Sequence, residues 1–563
     1  VAQQPTEEHL ATAQEVFHAI HDLTTNIAEA TVIDSDAIAR HTGYEPATVE
    51  AVLDAFTLTG VTAIDEVIDR FFRGDNPLRT APIVTDALGR RMLVHDALAL
   101  PAVREVIETR LKAANRMDVY QHHRGDWVEN AAIDLLADVL PGAKVFRGHG
   151  FYYFVPDLKA ATPQTDPDKF TNRVQGDGLI LIDDIALIIE VKSVALTAEA
   201  RGGVARRLRG KLRDIVTDAA DQAERLRERI ITDKRIRLDD GQWIDVSGVR
   251  EIHTIAVGLE DLSGITTATA ILVAAGVLKP DNIPWTVSVH DLRIVCELLD
   301  RPSELLLYLR RRTHPEATRK YGAVDELDLF LLFLTRGLYV EPDPHQVAQE
   351  LPWSGPPSAA DLRRYAAQRR EMVTSHTEPL DAWYQSQLSP TSTPADKPHL
   401  IADQKLLELV DQIIKTGVPG WLSTTASLLE GDGLVQRMFG RYAADLGKLV
   451  RRDRQPHSMT HLICETSGKH VLLVWACHGP DEDADTAASH LSEYLQTKKH
   501  QTGAYRATCM LFNPTGKKLL RLLYDNRPTG PDPVLDEAAA RLVPLEKMKR
   551  TTPKPIRSPK SRP

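Results

Sequence analysis

Cysteine is scarce in this chain, with only four among 563 residues. Cys296, Cys464, Cys477 and Cys509 lie in or beside apolar runs, and no two of them have Cys-x-x-Cys spacing. This pattern argues against a disulfide framework, which a secreted protein would use for stability. The sequence therefore predicts four free thiols, mostly buried, in a reducing compartment.

Long apolar runs are also missing. The longest uncharged stretch, residues 262–277, is rich in Thr and Gly. It is shorter than the roughly 20 apolar residues that a membrane-spanning helix needs. Residues 1–9 have neither the basic head nor the apolar core of a signal peptide. We therefore expect a soluble protein of the cytoplasm that does not associate with a membrane.

An overall positive charge is lacking too, since the net charge is −10. This excludes a protein that coats nucleic acid over its whole surface, but not a local basic site. Two common catalytic motifs are missing. Residues 513–518 lack the glycine spacing of a phosphate-binding loop, and no Gly-x-Ser-x-Gly elbow occurs. His122 and His123 have no nearby ligand partners in the sequence, so we interpret them as surface or capping residues.

Two apolar runs in the middle of the chain predict a β-hairpin. They cover 178–182 and 185–191, are rich in β-branched residues, and are separated only by Asp183 and Asp184. Apolar runs divided by two turn-forming residues are typical of a hairpin with a two-residue turn. We therefore expect Asp183 and Asp184 to occupy the turn, roughly 20 Å from the open end of the hairpin.

The open end of this hairpin carries the candidate site. A turn centred on 183–184 places Asp177 directly opposite Glu190, with Cβ atoms about 4.5–5.5 Å apart. Lys192 follows Glu190 by two residues and so shares its face. Opposed like charges destabilise a sheet, and a divalent cation is the natural compensation. Mg²⁺ binds one or two carboxylates together with waters and phosphate oxygens. The carbonyl of Val191 would offer a further oxygen.

Two other polar residues are candidates with open alternatives. Glu129 lies beside the apolar face of a helix predicted over 126–140. It would be a second metal ligand, a group that holds a water molecule near the metal, or a solvated charge at the edge of the helix. Gln222 interrupts the apolar stripe of a long helix predicted over 205–231. It would meet the site or cap a strand edge.

The start of that long helix is strongly basic. Six cations occur within thirteen residues without an acid: Arg201, Arg206, Arg207, Arg209, Lys211 and Arg213. Such a run is either a solvated face or a surface that binds the phosphate backbone, which clustered cations recognise independently of sequence. Its position nine residues after Lys192 favours phosphate binding.

Together these residues resemble the PD-(D/E)XK nuclease superfamily, including its restriction-endonuclease-like and nuclease-related-domain branches. The resemblance covers about residues 119–300. It implies Mg²⁺-dependent (or Mn²⁺-dependent) phosphodiester hydrolysis, with Asp177 and Glu190 as metal ligands and Lys192 as the catalytic lysine. Glu129 would be a further metal and catalytic residue, and Gln222 a catalytic one. The chain departs from the family where a proline usually precedes the aspartate, because this position is Gly176.

The resemblance and the apolar patterns predict an α/β protein with a restriction-endonuclease-like mixed sheet flanked by helices. We expect a helical N-terminal domain over 1–118, the nuclease domain over 119–340 and a Pro/Ser-rich linker over 341–402. A smaller α/β domain at 403–528 and a basic Pro-rich tail at 529–563 would follow. Residues 35–53 resemble a helix-turn-helix, but the acids of the second helix favour a structural or protein-contact role over DNA reading.

The expected function is metal-dependent cleavage of nucleic acid, with DNA as the expected substrate. Bacterial defence, through restriction or anti-phage activity, is the expected role by analogy alone. The alternative is a non-catalytic scaffold or sensor that keeps the nuclease fold to bind nucleic acid. A third interpretation is a surface ion triplet on a structural sheet, but the flanking apolar runs would bury the hairpin. A protein partner for the N- or C-terminal domain is also expected.

Overall fold

The computed structural model describes most of the chain, namely residues 16–18, 21, 31–60, 64–72, 76–160, 162–193, 217–260, 263–280, 282–388 and 393–547. The protein is mixed α/β, with 51% helix and 19% strand, which confirms the α/β class. It divides into two compact units at Arg124 and Gly125. The predicted boundary at 118–119 lies close to this division. The predicted nuclease and C-terminal domains, however, belong to one compact unit rather than to two.

The first unit contains short helices and a small hairpin. Its elements are α1 (Ser35–Thr42), α2 (Pro46–Phe56), α3 (Ile64–Phe72), β1 (Ile83–Thr85), β2 (Arg91–Leu93) and α4 (Ala99–Ala113). A further helix, α5 (Met117–Val139), begins in this unit and continues into the second.

The predicted helix-turn-helix is present as α1 and α2. Gly43 ends α1 in the left-handed region, at φ 73°, where glycine avoids a side-chain clash. The acids of α2 are bound inside their own unit: Glu50 Oε2 lies 2.6 Å from Arg91 Nη1, and Asp54 also pairs with Arg91. This face of α2 therefore packs against β2, which supports a structural role.

The second unit is built around a five-stranded mixed sheet. Its strands and neighbours in the first half are β3 (Lys144–Arg147), β4 (Tyr152–Val155), β5 (Asn172–Gln175), β6 (Gly178–Ile182), β7 (Ile185–Lys192), α6 (Asp218–Glu228), β8 (Arg235–Arg237), β9 (Trp243–Asp245), β10 (Glu251–Gly258), α7 (Ser263–Thr266), α8 (Thr269–Ala274) and β11 (Trp285–Ser288). The strand order is β11-β10-β7-β6-β3. β3, β6 and β7 are antiparallel, and β7, β10 and β11 are parallel.

The central strands are buried on both faces, which explains their continuous apolar sequence. Ile180, Leu187 and Ile189 belong to a core that includes α5, whereas Leu179 and Ile188 belong to a core that includes α6. The two helices therefore cover opposite faces of the sheet. Strand alternation places Asp177 and Glu190 on the α6 face, because they follow the parity of Leu179 and Ile188.

The rest of the second unit is mainly helical, with a four-stranded sheet. Its elements are α9 (Val289–Leu298), α10 (Pro302–Arg312), α11 (Pro315–Lys320), β12 (Tyr321–Ala323), α12 (Glu326–Arg336), α13 (Pro344–Glu350), α14 (Ala359–Ala366), β13 (Glu371–Val373), α15 (Glu378–Leu388), α16 (Gln404–Ile414), α17 (Trp421–Leu429), α18 (Gly433–Asp453), β14 (His457–Cys464), β15 (His470–Cys477), α19 (Ala484–Thr502), β16 (Arg506–Phe512), β17 (Leu519–Asp525) and α20 (Pro533–Ala540). The second sheet has the order β14-β15-β16-β17.

The segment 341–402 differs from the predicted linker. It contains α13, α14 and α15, and β13 pairs in parallel with β12. Val373 and Leu380 are buried in the main core. The linker prediction was wrong because it treated the prolines of this segment as signs of irregular structure. Proline in the first turn of a helix, as at Pro344, favours the start of the helix.

The hairpin turn joins the two sheets of this unit. The carboxylate of Asp183 accepts hydrogen bonds from the backbone N–H groups of Gly420 and Leu422 at the start of α17. A carboxylate is favourable there, because the positive end of the helix dipole faces it. Asp184 is buried and accepts hydrogen bonds from Ser423 and Tyr524. Both residues therefore have a structural role at the turn, as their spacing predicted.

The four cysteines are free, which confirms the predicted thiols, but only Cys477 and Cys509 are buried, whereas Cys296 and Cys464 are half-buried. Among the described residues, no helix has both the length and the apolar character required to cross a bilayer.

Candidate functional site

The hairpin register brings Asp177 and Glu190 together. Ile182 pairs with Ile185 and Gly178 pairs with Ile189, so the next opposed positions are 177 and 190. The predicted register is thus confirmed. Asp177 Oδ2 accepts a 2.7 Å hydrogen bond from the backbone N–H of Val191. This bond orients the Asp177 carboxylate towards the end of β7.

Lys192 and Gln222 complete a cluster of four polar side chains. Lys192 Nζ lies 3.9 Å from Glu190 Oε2 and donates a hydrogen bond to the side-chain oxygen of Gln222. Gln222 is on α6, which covers the face of the sheet towards which Glu190 points. Of the two sequence interpretations of Gln222, the structure therefore places it with the site rather than at a strand edge.

The two carboxyl groups are in an environment that disfavours two negative charges. Glu190 is only 4% exposed. Burial, and next the charge of Asp177, raise the pKa of Glu190 well above its ordinary value, although Lys192 and Arg225 act in the opposite direction. A hydrogen bond between the two carboxyl groups contributes further. Burial beside Asp177 therefore favours the protonated form of Glu190, and a bound cation would favour its charged form.

We expect Glu190→Gln to stabilise the second unit in the presence of EDTA, because the amide has no charge to bury beside Asp177. The folded pKa of Glu190 lies above its unfolded value of about 4.3. Wild-type stability is therefore fully present below that pH and is lost as the pH rises through the folded pKa. Glu190→Gln lacks this loss, so its advantage should grow with pH to about 1 kcal/mol or more.

Thermal unfolding in EDTA between about pH 4 and pH 8 measures this difference across the titration range. Mg²⁺ should then stabilise the wild type but not Glu190→Gln, since only a site able to bind the ion gains free energy from it. Equal or lower stability of Glu190→Gln at the upper end of this range would contradict the expected burial penalty.

Glu129 reaches this end of the sheet from a different helix. It belongs to α5, on the opposite face of the sheet from α6, and it is half-buried. Its carboxylate occupies the space that a side chain at Gly148 would need. Gly148 follows the residue that pairs with Gly178, so Glu129 approaches the same end of the sheet. A role as an outer group that holds water, or as a ligand, stays a prediction.

The glycine at the usual proline position has a structural explanation. The backbone N–H of Gly176 donates a 3.0 Å hydrogen bond to the carbonyl of Phe151, and proline has no such donor. A Cβ at position 176 would also approach Phe151 Cε1 to 2.7 Å. Since Phe151 is buried and stacks on Tyr153, glycine leaves this packing intact.

Two neighbours of the site were missed in the sequence. Arg225 lies one helical turn after Gln222 on α6 and favours the charged form of Glu190. Its i, i+3 spacing from Gln222 on the helix was the sequence feature that could have identified it. Tyr153 is buried, and burial, followed by the charge of Glu190, raises its pKa. Nothing in the sequence linked Tyr153 to residues so far along the chain.

The predicted nucleic-acid-binding cations lie outside the described residues. These are Arg201, Arg206, Arg207, Arg209, Lys211 and Arg213. The described part of the long helix predicted over 205–231 is α6, which is followed by a π-helical turn at Arg229–Asp233. Most of the predicted basic tail, from 548 onwards, is also outside the described residues.

The donor set fits a hard divalent cation that keeps several waters. Within the described residues, no group of three or more His, Cys, Asp and Glu side chains is arranged to hold a metal ion. Mg²⁺ often needs only one or two carboxylates, which Asp177 and Glu190 provide. The N–H and C=O groups of one strand residue point to the same side, so the carbonyl of Val191 also faces the Asp177 side.

Comparison of the chain with family models, with curated proteins and with solved structures finds no match. Functional inference therefore rests on the geometry and chemistry of the site.

Proposed function

We propose that this protein is a divalent-metal-dependent nuclease that hydrolyses phosphodiester bonds, with DNA as its substrate. One observation carries the proposal. A buried carboxyl pair, Asp177 and Glu190, converges with the ammonium group of Lys192 at the carboxyl end of a central strand. The carboxyl ends of parallel strands, such as β7 and β10, are where open α/β sheets usually bind ligands.

The fold around the pair supports the same conclusion. The hairpin is followed by a helix that contributes Gln222 to the cluster and then by β10, which runs parallel to β7. A helix before the hairpin, α5, covers the other face of the sheet. This mixed sheet flanked by helices is the arrangement that the PD-(D/E)XK resemblance implies, and we propose that the core is restriction-endonuclease-like.

Each side chain of the cluster has a proposed chemical role. Asp177 and Glu190 would hold Mg²⁺ or Mn²⁺, and the bound ion would lower the pKa of a water and neutralise charge on the phosphate. The amide of Gln222 orients Lys192 by accepting its hydrogen bond. The ammonium group of Lys192 would then stabilise the negative charge that develops on the phosphate oxygens.

The proposed biological role is bacterial defence, in which the nuclease core acts with the first unit as a recognition or trigger module. This role is an analogy with other proteins that combine a nuclease core and extra modules. The substrate, the ion and the partner all belong to the proposal.

A cleavage assay tests the proposal directly. Wild-type protein is incubated with supercoiled plasmid, single-stranded DNA or single-stranded RNA, in Mg²⁺, Mn²⁺ or EDTA. We expect cleavage of DNA in either metal ion and none in EDTA. Cleavage that persists unchanged in EDTA would contradict a metal-dependent reaction. Binding without cleavage of any substrate would favour the non-catalytic scaffold, although the intact Asp177, Glu190 and Lys192 argue against it.

A further inference from the structure

A large cavity lies at the opposite end of the five-stranded sheet from the candidate site. Glu251, the first residue of β10, lines this cavity, whereas Gly258, the last, pairs with Lys192. Seven residues of strand separate these two ends by about 23 Å. The cavity volume is about 890 Å³, within the range of about 300–1,000 Å³ typical of sites for small organic ligands.

Cationic side chains dominate the lining of this cavity. Its arginine and lysine residues are Arg227, Lys234, Arg250, Arg310 and Lys469. Glu251 is the only carboxylate among the described residues that line it. The cations come from α6, from the residues just after the π-helical turn and just before β10, from α10 and from the turn between β14 and β15. Two histidines, His253 and His314, lie among them.

The charge of Glu251 is already neutralised. Arg310 donates two 2.8 Å hydrogen bonds to its carboxylate, and Arg506 Nη1 lies 3.2 Å from Glu251 Oε2. Burial alone would raise the pKa of Glu251, but Arg310 holds it well below its ordinary value. This carboxylate therefore cannot balance the other cations of the cavity.

The remaining four cations have no acidic partner among the described residues. Arg227 donates to the carbonyl of Ile252, Arg250 donates to backbone carbonyls, and Lys469 Nζ lies 3.9 Å from the centre of the Tyr505 ring. Lys234 is exposed at the rim.

Such an excess is unusual in a chain with a net charge of −10. Clefts lined by one sign of charge concentrate ligands of the opposite sign. Arginine and lysine are the side chains that bind phosphate groups, the former through paired donors and the latter as a point charge. The Tyr505 ring and apolar side chains such as Val249 and Ile283 also line the cavity. They offer surfaces for an aromatic base.

We propose that this cavity binds a nucleotide carrying two or more phosphate groups. The phosphates would contact Arg227, Arg250 and Lys469, and the base would lie against the apolar wall. The cavity lies well away from Asp177 and Glu190, so this binding is separate from the proposed nuclease reaction and does not depend on it.

Calorimetric titration of the full chain with ATP in EDTA tests the proposal. Wild-type protein should bind ATP with a Kd of the order of micromolar. Arg227→Gln combined with Lys469→Gln should weaken binding at least about tenfold, because both unneutralised charges are lost. Lys415→Gln is the matched control, since Lys415 is exposed and does not line the cavity. Lys469→Glu is a second variant at an exposed position, should the double variant unfold.

Four results would overturn the proposal. The first is that wild-type protein does not bind ATP, and the second is that the cavity variants bind ATP as the wild type does. The third is that citrate, a polyanion without phosphate, competes as strongly as ATP. The fourth is that a single-stranded oligonucleotide displaces ATP at lower concentration than ATP itself requires, which would assign the cavity to a nucleic-acid surface. Plasmid cleavage is unaffected by any of these results, so the nuclease proposal stands or fails separately.

Discussion

Asparagine in place of Asp177 is expected to slow metal-dependent cleavage by about a thousandfold or more. The amide keeps the size of the side chain and an oxygen that can accept the N–H of Val191. It loses the negative charge that holds a divalent cation, however, so the stabilisation by Mg²⁺ should disappear together with cleavage. Single-turnover cleavage and thermal unfolding with and without Mg²⁺ measure the two effects.

The variant Lys192→Met distinguishes the role of Lys192 from that of Asp177. Methionine retains the apolar length of the side chain but not the ammonium group near Glu190. Cleavage should fall by a similar factor, about a thousandfold, whereas stabilisation by Mg²⁺ should persist because both carboxylates remain. Loss of Mg²⁺ binding in Lys192→Met would contradict the assignment of Lys192 to the phosphate rather than to the ion.

Asp183→Asn is the matched control for Asp177→Asn, since both aspartates belong to the same hairpin. Asp183 is at the turn, with φ 56°, a conformation that asparagine tolerates. The amide keeps only one of the two oxygens that accept the N–H groups of Gly420 and Leu422, so this variant should be less stable, but the folded protein should cleave at a rate close to that of the wild type. A loss in Asp183→Asn as large as in Asp177→Asn would show that the hairpin as a whole, rather than its open end, determines activity.

Arg310→Met is expected to cost about 3–5 kcal/mol of stability in the second unit. The Arg310 side chain is 2% exposed and forms ion pairs with Glu251, Glu430 and Glu465. Methionine would leave the buried Glu430 and Glu465 and the half-buried Glu251 with much less compensation, because Arg506 pairs only with Glu251 and Glu465. The free energy of unfolding in urea, followed on the transition of this unit, measures the loss.

Arg336→Met is the control, because Arg336 also pairs with a glutamate but is 58% exposed. An exposed ion pair contributes about 1 kcal/mol or less, so this variant should unfold close to wild type. Equal losses in Arg310→Met and Arg336→Met would contradict the importance of burial. Acid should weaken the pair of Arg310 with Glu251: the contribution of Glu251 to stability is fully present above its unfolded pKa of about 4.3 and is lost as the pH falls through its lower folded pKa.

Much of the central sheet was predictable from local pattern. The two-residue turn and the apolar runs define the register that pairs Ile182 with Ile185. β10, at Glu251–Gly258, is buried along most of its length in the same way. Such strands can be predicted from the local sequence because a strand that is buried on both faces needs a continuous apolar run.

The ion pairs around Glu251 could not be predicted from the sequence, because they join residues that are far apart along the chain. The pairs that join Arg310 to Glu251 and Arg506 to Glu251 span 59 and 255 positions. Local periodicity carries no information about which charges meet at such separations. The same holds for the cationic cavity, whose lining comes from segments throughout the second unit.

The sequence by itself determined the opposition of Asp177 and Glu190 and the position of Lys192 beside them, because strand alternation and a short turn are local constraints. Only the tertiary structure brought Gln222 to them, because α6 covers the face to which the carboxylates point. Glu129 belongs to α5, which covers the other face and reaches the same end of the sheet. The side of a sheet on which a helix packs is determined by the whole core, so it cannot be predicted from any short segment of the sequence.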